Sequence, residues 1–183
     1  MASITQLLER NKEVKHTPFL LIDEREHDAK VDFSRTLIVT CCDPRCTPEE
    51  IFNFKSGEVI VHRNAGANVR YALRDIVILD TVMQLTEILI LHHTDCGTLR
   101  HNDEELKTWV KHGNWVNRGI DEKIWPEVDK IDIGLTKDVS PEDTARDNIE
   151  WVRAQPVIRD ELKKNTRGFV FDIKSGNVKE IVV

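Results

Sequence analysis

Four runs along the chain read as strands: Thr36–Cys41, Glu58–Asn64, Glu87–His93 and Gly168–Ile173. Three of them are nearly all apolar rather than alternating, the pattern of strands covered on both faces of a parallel sheet. Between them the apolar period lengthens to that of a helix. Val69–Leu85 is apolar on most sides, which predicts a long buried helix, and Asp103–His112 reads as a surface helix. Thr47-Pro48-Glu49-Glu50 has the form of a helix start, with a Thr cap, Pro in the first turn and Glu at the third position. Ser140-Pro141-Glu142-Asp143 starts another helix, reaching to Ala154, and Pro156 begins a further one ending near Asn165. At the start of the chain, Ile4, Leu7 and Leu8 fall at the spacing of a short amphipathic helix. The final residues predict a hairpin turning near Ser175-Gly176-Asn177, and the segment Gly113–Thr136 reads as a loop with short helices. The alternation predicts an α/β fold: a central, mainly parallel β-sheet flanked by helices, with a C-terminal β-hairpin.

Composition narrows the classes. At 183 residues and 40% hydrophobic, the chain can bury one core, so residues 1–183 are expected to form one domain carrying an N-terminal helical arm. A net charge of -6 argues against nucleic acid as a partner, because phosphate binding needs a basic surface. The chain shows no bilayer-spanning run and no signal-peptide pattern, so no membrane partner is expected and a cytoplasmic location is. Nor does any strand lead into a G-x-G-x-x-G or G-x-x-x-x-G-K-[ST] phosphate loop. The four cysteines, Cys41, Cys42, Cys46 and Cys96, lack the secretory context of a disulfide framework.

Clustered Cys and His in such a chain point to metal or catalysis. Sites in parallel α/β sheets gather at the carboxyl ends of strands. Cys41 closes the first strand, while His93 and Cys96 close the third, three positions apart across a turn. Together they offer S, N and S, a set suited to one Zn²⁺ per chain. Strand alternation turns Cys42 away from Cys41 and His92 away from His93, which leaves those two as packing residues. Cys46 opens the capping turn and receives no role. Three protein ligands leave a fourth position, to be filled by water or by a protein group. Asp43 is the nearest candidate to fill it, and Arg45, two residues on, could hold Asp43 away as a bidentate partner.

Cys41-Cys42-Asp43-Pro44-Arg45 and His93-Thr94-Asp95-Cys96-Gly97, with His62–Val69 between them, resemble the β-class carbonic anhydrase family and its compact branch. The likeness extends from Leu37 to Leu99 and more loosely over the later helices and the hairpin. It implies reversible hydration of CO₂ to bicarbonate by a zinc-bound hydroxide, with Cys41, His93 and Cys96 as the metal ligands. Asp43 would accept a hydrogen bond from the hydroxide, and Arg45 would keep Asp43 ionised and aimed away. Gly66 and Gly97 would be the substrate-side groups. Pro44 stands where many relatives carry serine, and the glutamine that larger relatives place beside bicarbonate has no counterpart. Some compact relatives hydrolyse carbonyl sulfide or carbon disulfide at such a site, so release of H₂S and CO₂ stands as the alternative. A third reading is a non-catalytic zinc-stabilised module with Asp43 as permanent fourth ligand. The family also implies a homodimer or homotetramer, with residues Ser3–Arg10 reaching over a neighbouring subunit. A thiol redox enzyme is disfavoured because no C-x-x-C pair is present.

Overall fold

The computed structural model describes residues 2–15 and 34–183. They fall into two compact units, one within Met1–Asp32 and the other spanning Phe33–Val183. The first unit contains helix α1 (Ile4–Glu13), begun by a capping box in which Ser3 and Gln6 exchange hydrogen bonds. None of its residues is buried, and Ile4, Leu7 and Leu8 are exposed.

The second unit is an α/β layer structure. Strands β1 (Thr36–Cys41), β2 (Ile60–Asn64), β3 (Glu87–His93), β4 (Thr166–Phe171) and β5 (Val178–Ile181) form one sheet in the order β2-β1-β3-β4-β5. The first four are parallel, and β5 returns antiparallel to β4 through the terminal hairpin. Strand β1 is buried from Leu37 onward because both of its faces are covered. Over one face pack the helices α3 (Val69–Met83) and α6 (Pro141–Ala154), whose Val69, Ala72, Ile76, Ile149 and Val152 join Leu37, Val39, Ile88 and Ile90 in the larger core. A second apolar cluster gathers Ile38, Leu91 and Phe171 with Cys46. No helix among the described residues is long and apolar enough to cross a membrane.

Several helices differ from expectation. Helix α2 is a single turn (Pro48–Ile51), and Thr47 makes no side-chain cap; its hydroxyl donates to the Pro44 carbonyl instead. Helix α3 stops at Met83 with Gln84 in the left-handed region, and it is not buried all round: Tyr71, Ile78 and Val82 are exposed. Between α4 (Asp103–His112) and α6 the chain forms only the short α5 (Trp125–Asp129) and a 3₁₀ turn, as the irregular pattern suggested. Helix α7 occupies Asp160–Lys164 and not the longer span from Pro156.

Candidate metal centre

Strands β1 and β3 are neighbours in register, Thr40 opposite Leu91, so both open into turns at the same end of the sheet. That end receives Cys41 as the last residue of β1, His93 as the last of β3 and Cys96 after a short turn. The three side chains are buried, and their donor atoms lie within 4.8 Å of one another. The Cys41 and Cys96 sulfurs are 3.9 Å apart. A tetrahedral ion with Zn–S bonds of about 2.3 Å requires an S–S separation of about 3.8 Å, so the two thiols already have the right spacing.

The histidine supplies an independent test. Its Nδ1 lies 2.9 Å from the Thr94 carbonyl, which can only accept, so Nδ1 carries the proton. In the neutral ring Nε2 is then a lone pair, buried and without a hydrogen bond of ordinary geometry. Such an orphan is costly in a protein interior unless something else uses it. A soft donor set with one unused imidazole nitrogen fits a zinc ion, held by Cys41, His93 and Cys96.

Backbone groups prepare the sulfurs. The amides of Asp43 and Gly66 hydrogen-bond Cys41, and the amide and hydroxyl of Thr98 serve Cys96, with Oγ1 3.0 Å from the sulfur. The Cys96 thiol, with help from the His93 imidazole and the Asp43 and Gly66 amides and against burial, pulls Cys41 far below the ordinary thiol range. Cys96 moves up because it shares its proton with Cys41 and is buried. A cation arriving between them would displace that shared proton.

Asp43 and Arg45 leave the strand end together. Arg45 Nε and Nη2 donate to the two oxygens of Asp43 at 3.0 and 2.8 Å, and the Arg45 amide adds a third bond at 2.9 Å. This fork holds Asp43 well below the usual carboxylate range despite partial burial. Asp43 Oδ2 is nevertheless only 3.9 Å from His93 Nε2, the ring nitrogen a metal would use. Arg63 braces the same turn from β2, donating to the carbonyls of Cys41, Asp43 and Cys46.

Of the substrate-side candidates, Gly66 has φ 79° and a Cβ built there would approach Thr98 Oγ1 to 2.9 Å. Glycine is therefore required both by conformation and by space. Gly97 starts a 3₁₀ turn, and a Cβ there would meet open space. Beside Gly66 and Thr98 opens a cavity of ≈ 500 Å³ that continues past Asn68, Tyr71 and Asn148. Cys42 is exposed and does not pack as strand alternation suggested, because β1 ends at Cys41 and the covered sheet with it; Cys46 is buried against the Thr40 hydroxyl, so neither joins the cluster. His92 does more than pack: its Nε2 bonds the buried Asn148 amide, which also reaches the Ala67 carbonyl. Arg63, Thr98, Asp95 and Asn148 escaped the sequence reading. Thr98, two residues beyond a candidate thiolate, and Arg63, inside the His62–Val69 segment, had a local signal; Asn148 is joined to the site only by the fold.

A mainly parallel sheet with a Cys–His–Cys group at the carboxyl ends of adjacent strands, and an Asp–Arg pair beside it, defines an α/β protein with a candidate metal position among its described residues. The family model for carbonic anhydrase matches residues 36–178, and the chain belongs to the β-class carbonic anhydrase family. It is similar to beta-carbonic anhydrase 1 of Mycobacterium tuberculosis, 28% identical over 145 residues covering 79% of this chain and 80% of that protein. It is also similar to the carbon disulfide hydrolase of Acidianus sp., 25% identical over 166 residues covering 80% of this chain and 76% of that protein. Among solved structures, the carbonic anhydrase of Streptococcus mutans superposes with a TM-score of 0.73 at 22% identity, over 100% of this chain and 99% of that one.

Proposed function

We propose that the chain is a zinc enzyme that hydrates CO₂ reversibly to bicarbonate, with Cys41, His93 and Cys96 as metal ligands and residues 1–183 as one zinc-binding α/β domain with an N-terminal arm. The observation that carries this reading is the S–N–S cluster whose imidazole Nε2 is buried with no other use, flanked by a carboxylate held off by arginine. Zinc, when bound, supplies a Lewis acid that makes water a nucleophile near neutral pH. Asp43 is within reach of the remaining position and accepts the hydrogen bond of the attacking water, fixing its lone pair toward the substrate carbon. Arg45 keeps Asp43 ionised, so that Asp43 can only accept. Gly66 makes room for Thr98 beside the Cys96 sulfur, and Gly97 leaves open space on its own side, which suits a small linear triatomic molecule.

A second reading has its own support. The carbon disulfide hydrolase relative is nearly as similar as the carbonic anhydrase, and carbonyl sulfide or carbon disulfide presents the same electrophilic carbon. Hydrolysis of carbonyl sulfide there would yield H₂S and CO₂. The deciding experiment is a paired assay on purified, metal-analysed protein: stopped-flow CO₂ hydration beside sulfide release from carbonyl sulfide and carbon disulfide. About one zinc per chain with fast hydration is the expected result. A zinc-loaded protein inactive on all three substrates would instead indicate a non-catalytic zinc-stabilised module. We also propose a homodimer or homotetramer; the β-carbonic anhydrases of Sordaria macrospora, which share the fold at a TM-score of 0.55, are described as tetrameric.

A further inference from the structure

The Arg45 guanidinium does not end at Asp43. Its Nη1 donates to Asp95 Oδ2 at 2.9 Å and its Nη2 to the Asp95 carbonyl at 3.2 Å. Asp95 is the residue between Thr94 and Cys96, inside the turn that delivers two of the three candidate ligands. Its φ of 57° puts a non-glycine residue in the left-handed region, and its second oxygen accepts from Arg100. One guanidinium thus joins the turn leaving β1 to the turn leaving β3.

We propose that Asp95 is a positioning residue for Asp43, acting through Arg45. A planar fork bound on one edge only can swing about its own stem, carrying its carboxylate partner with it. Bound on two edges, by Asp43 on one and by Asp95 on the other, the plane is fixed. The consequence falls on Asp43, whose Oδ2 is 3.9 Å from His93 Nε2 and needs little rotation to take the fourth metal position. Asp95 therefore keeps the site open. It does so without adding much to overall stability, because the Arg45 and Asp95 side chains are 46% and 50% exposed, and exposed pairs contribute little.

This inference rests on the zinc reading, so its test has one arm that needs metal and one that does not. Asp95→Asn keeps the left-handed turn and removes the charge, and Asp95→Gly keeps the turn and removes the side chain. In the cobalt(II)-substituted protein, azide affinity is read from the visible d–d bands. Both variants should bind azide about tenfold more weakly than the wild type, because Asp43 now competes for the fourth position. In an Asp43→Asn background, Asp95→Asn should have no further effect. Loss of a nearby negative charge alone would tighten azide, the opposite sign. Unchanged or tighter azide binding, the same loss in the Asp43→Asn background, or a fall in the unfolding midpoint that tracks the azide effect would overturn the proposal. In EDTA-treated protein, hydrogen exchange of the Arg45 Nε–H followed by NMR should accelerate about tenfold in Asp95→Asn; an unchanged rate would overturn the proposal whether or not the wild type takes up metal.

Discussion

At the scale of single residues, the site divides into donors and the groups that aim them. Cys41→Ser should strip bound zinc from the protein, whereas Cys46→Ser, whose sulfur touches Thr40 and not the cluster, should retain it; metal analysis of the two purified variants checks this directly. Gly66→Ala should destabilise the fold by about 1–2 kcal/mol, since alanine at φ 79° is strained and its methyl would press on Thr98. Denaturant unfolding of the metal-free protein measures that cost apart from any effect on zinc. That Cys41, His93 and Cys96 would come together was legible from the chain because each closes or follows an apolar run, and strand ends converge. The Asp95–Arg45 bond was not legible. Neither residue type is unusual in a polar turn, and only the β1–β3 register brings the two turns face to face.

Elements show the same division. β1 and β3 have the bounds the sequence predicts because both are apolar along most of their length and buried on both faces. β4 starts two residues before its expected Gly168, at Thr166, because the start is set by pairing with β3 at Ile88 and Thr166 is buried there. Periodicity could not show that Tyr71, Ile78 and Val82 of α3 would face outward, since apolar residues on a helix look alike whether or not a neighbour covers them. Gly168 marks where α6 approaches the sheet: a Cβ at that position would fall 2.6 Å from Ile149 Cδ1. Gly168→Ala should cost about 1–3 kcal/mol, and Ile149→Val, which deletes the offending methyl, should restore part of it in a double-mutant unfolding experiment. At the hairpin, Asp172 accepts from the Lys174 amide, the Ser175 hydroxyl and the Thr94 hydroxyl, and these bonds lower its carboxyl. A lowered carboxyl contributes stability above its unfolded value of about 3.9 and loses it as the pH falls below. Asp172→Asn should therefore flatten the acid end of a melting-temperature profile below about pH 5 and leave it unchanged at higher pH.

For the whole molecule, the unexplained surface is that of α1, a capped helix with three large apolar side chains and nothing buried. If that arm joins subunits, deleting residues 1–12 should lower the mass seen by light scattering, and an unchanged mass would dismiss the role. A different consequence follows from the neighbourly placement of β1 and β3. Their ladder brings Cys41 and the turn that carries Cys96 to one end of the sheet, where the two sulfurs lie 3.9 Å apart. Because that pairing is made by backbone hydrogen bonds between strands, refolding should run at the same rate with zinc or with chelator, as stopped-flow refolding in the two buffers would measure.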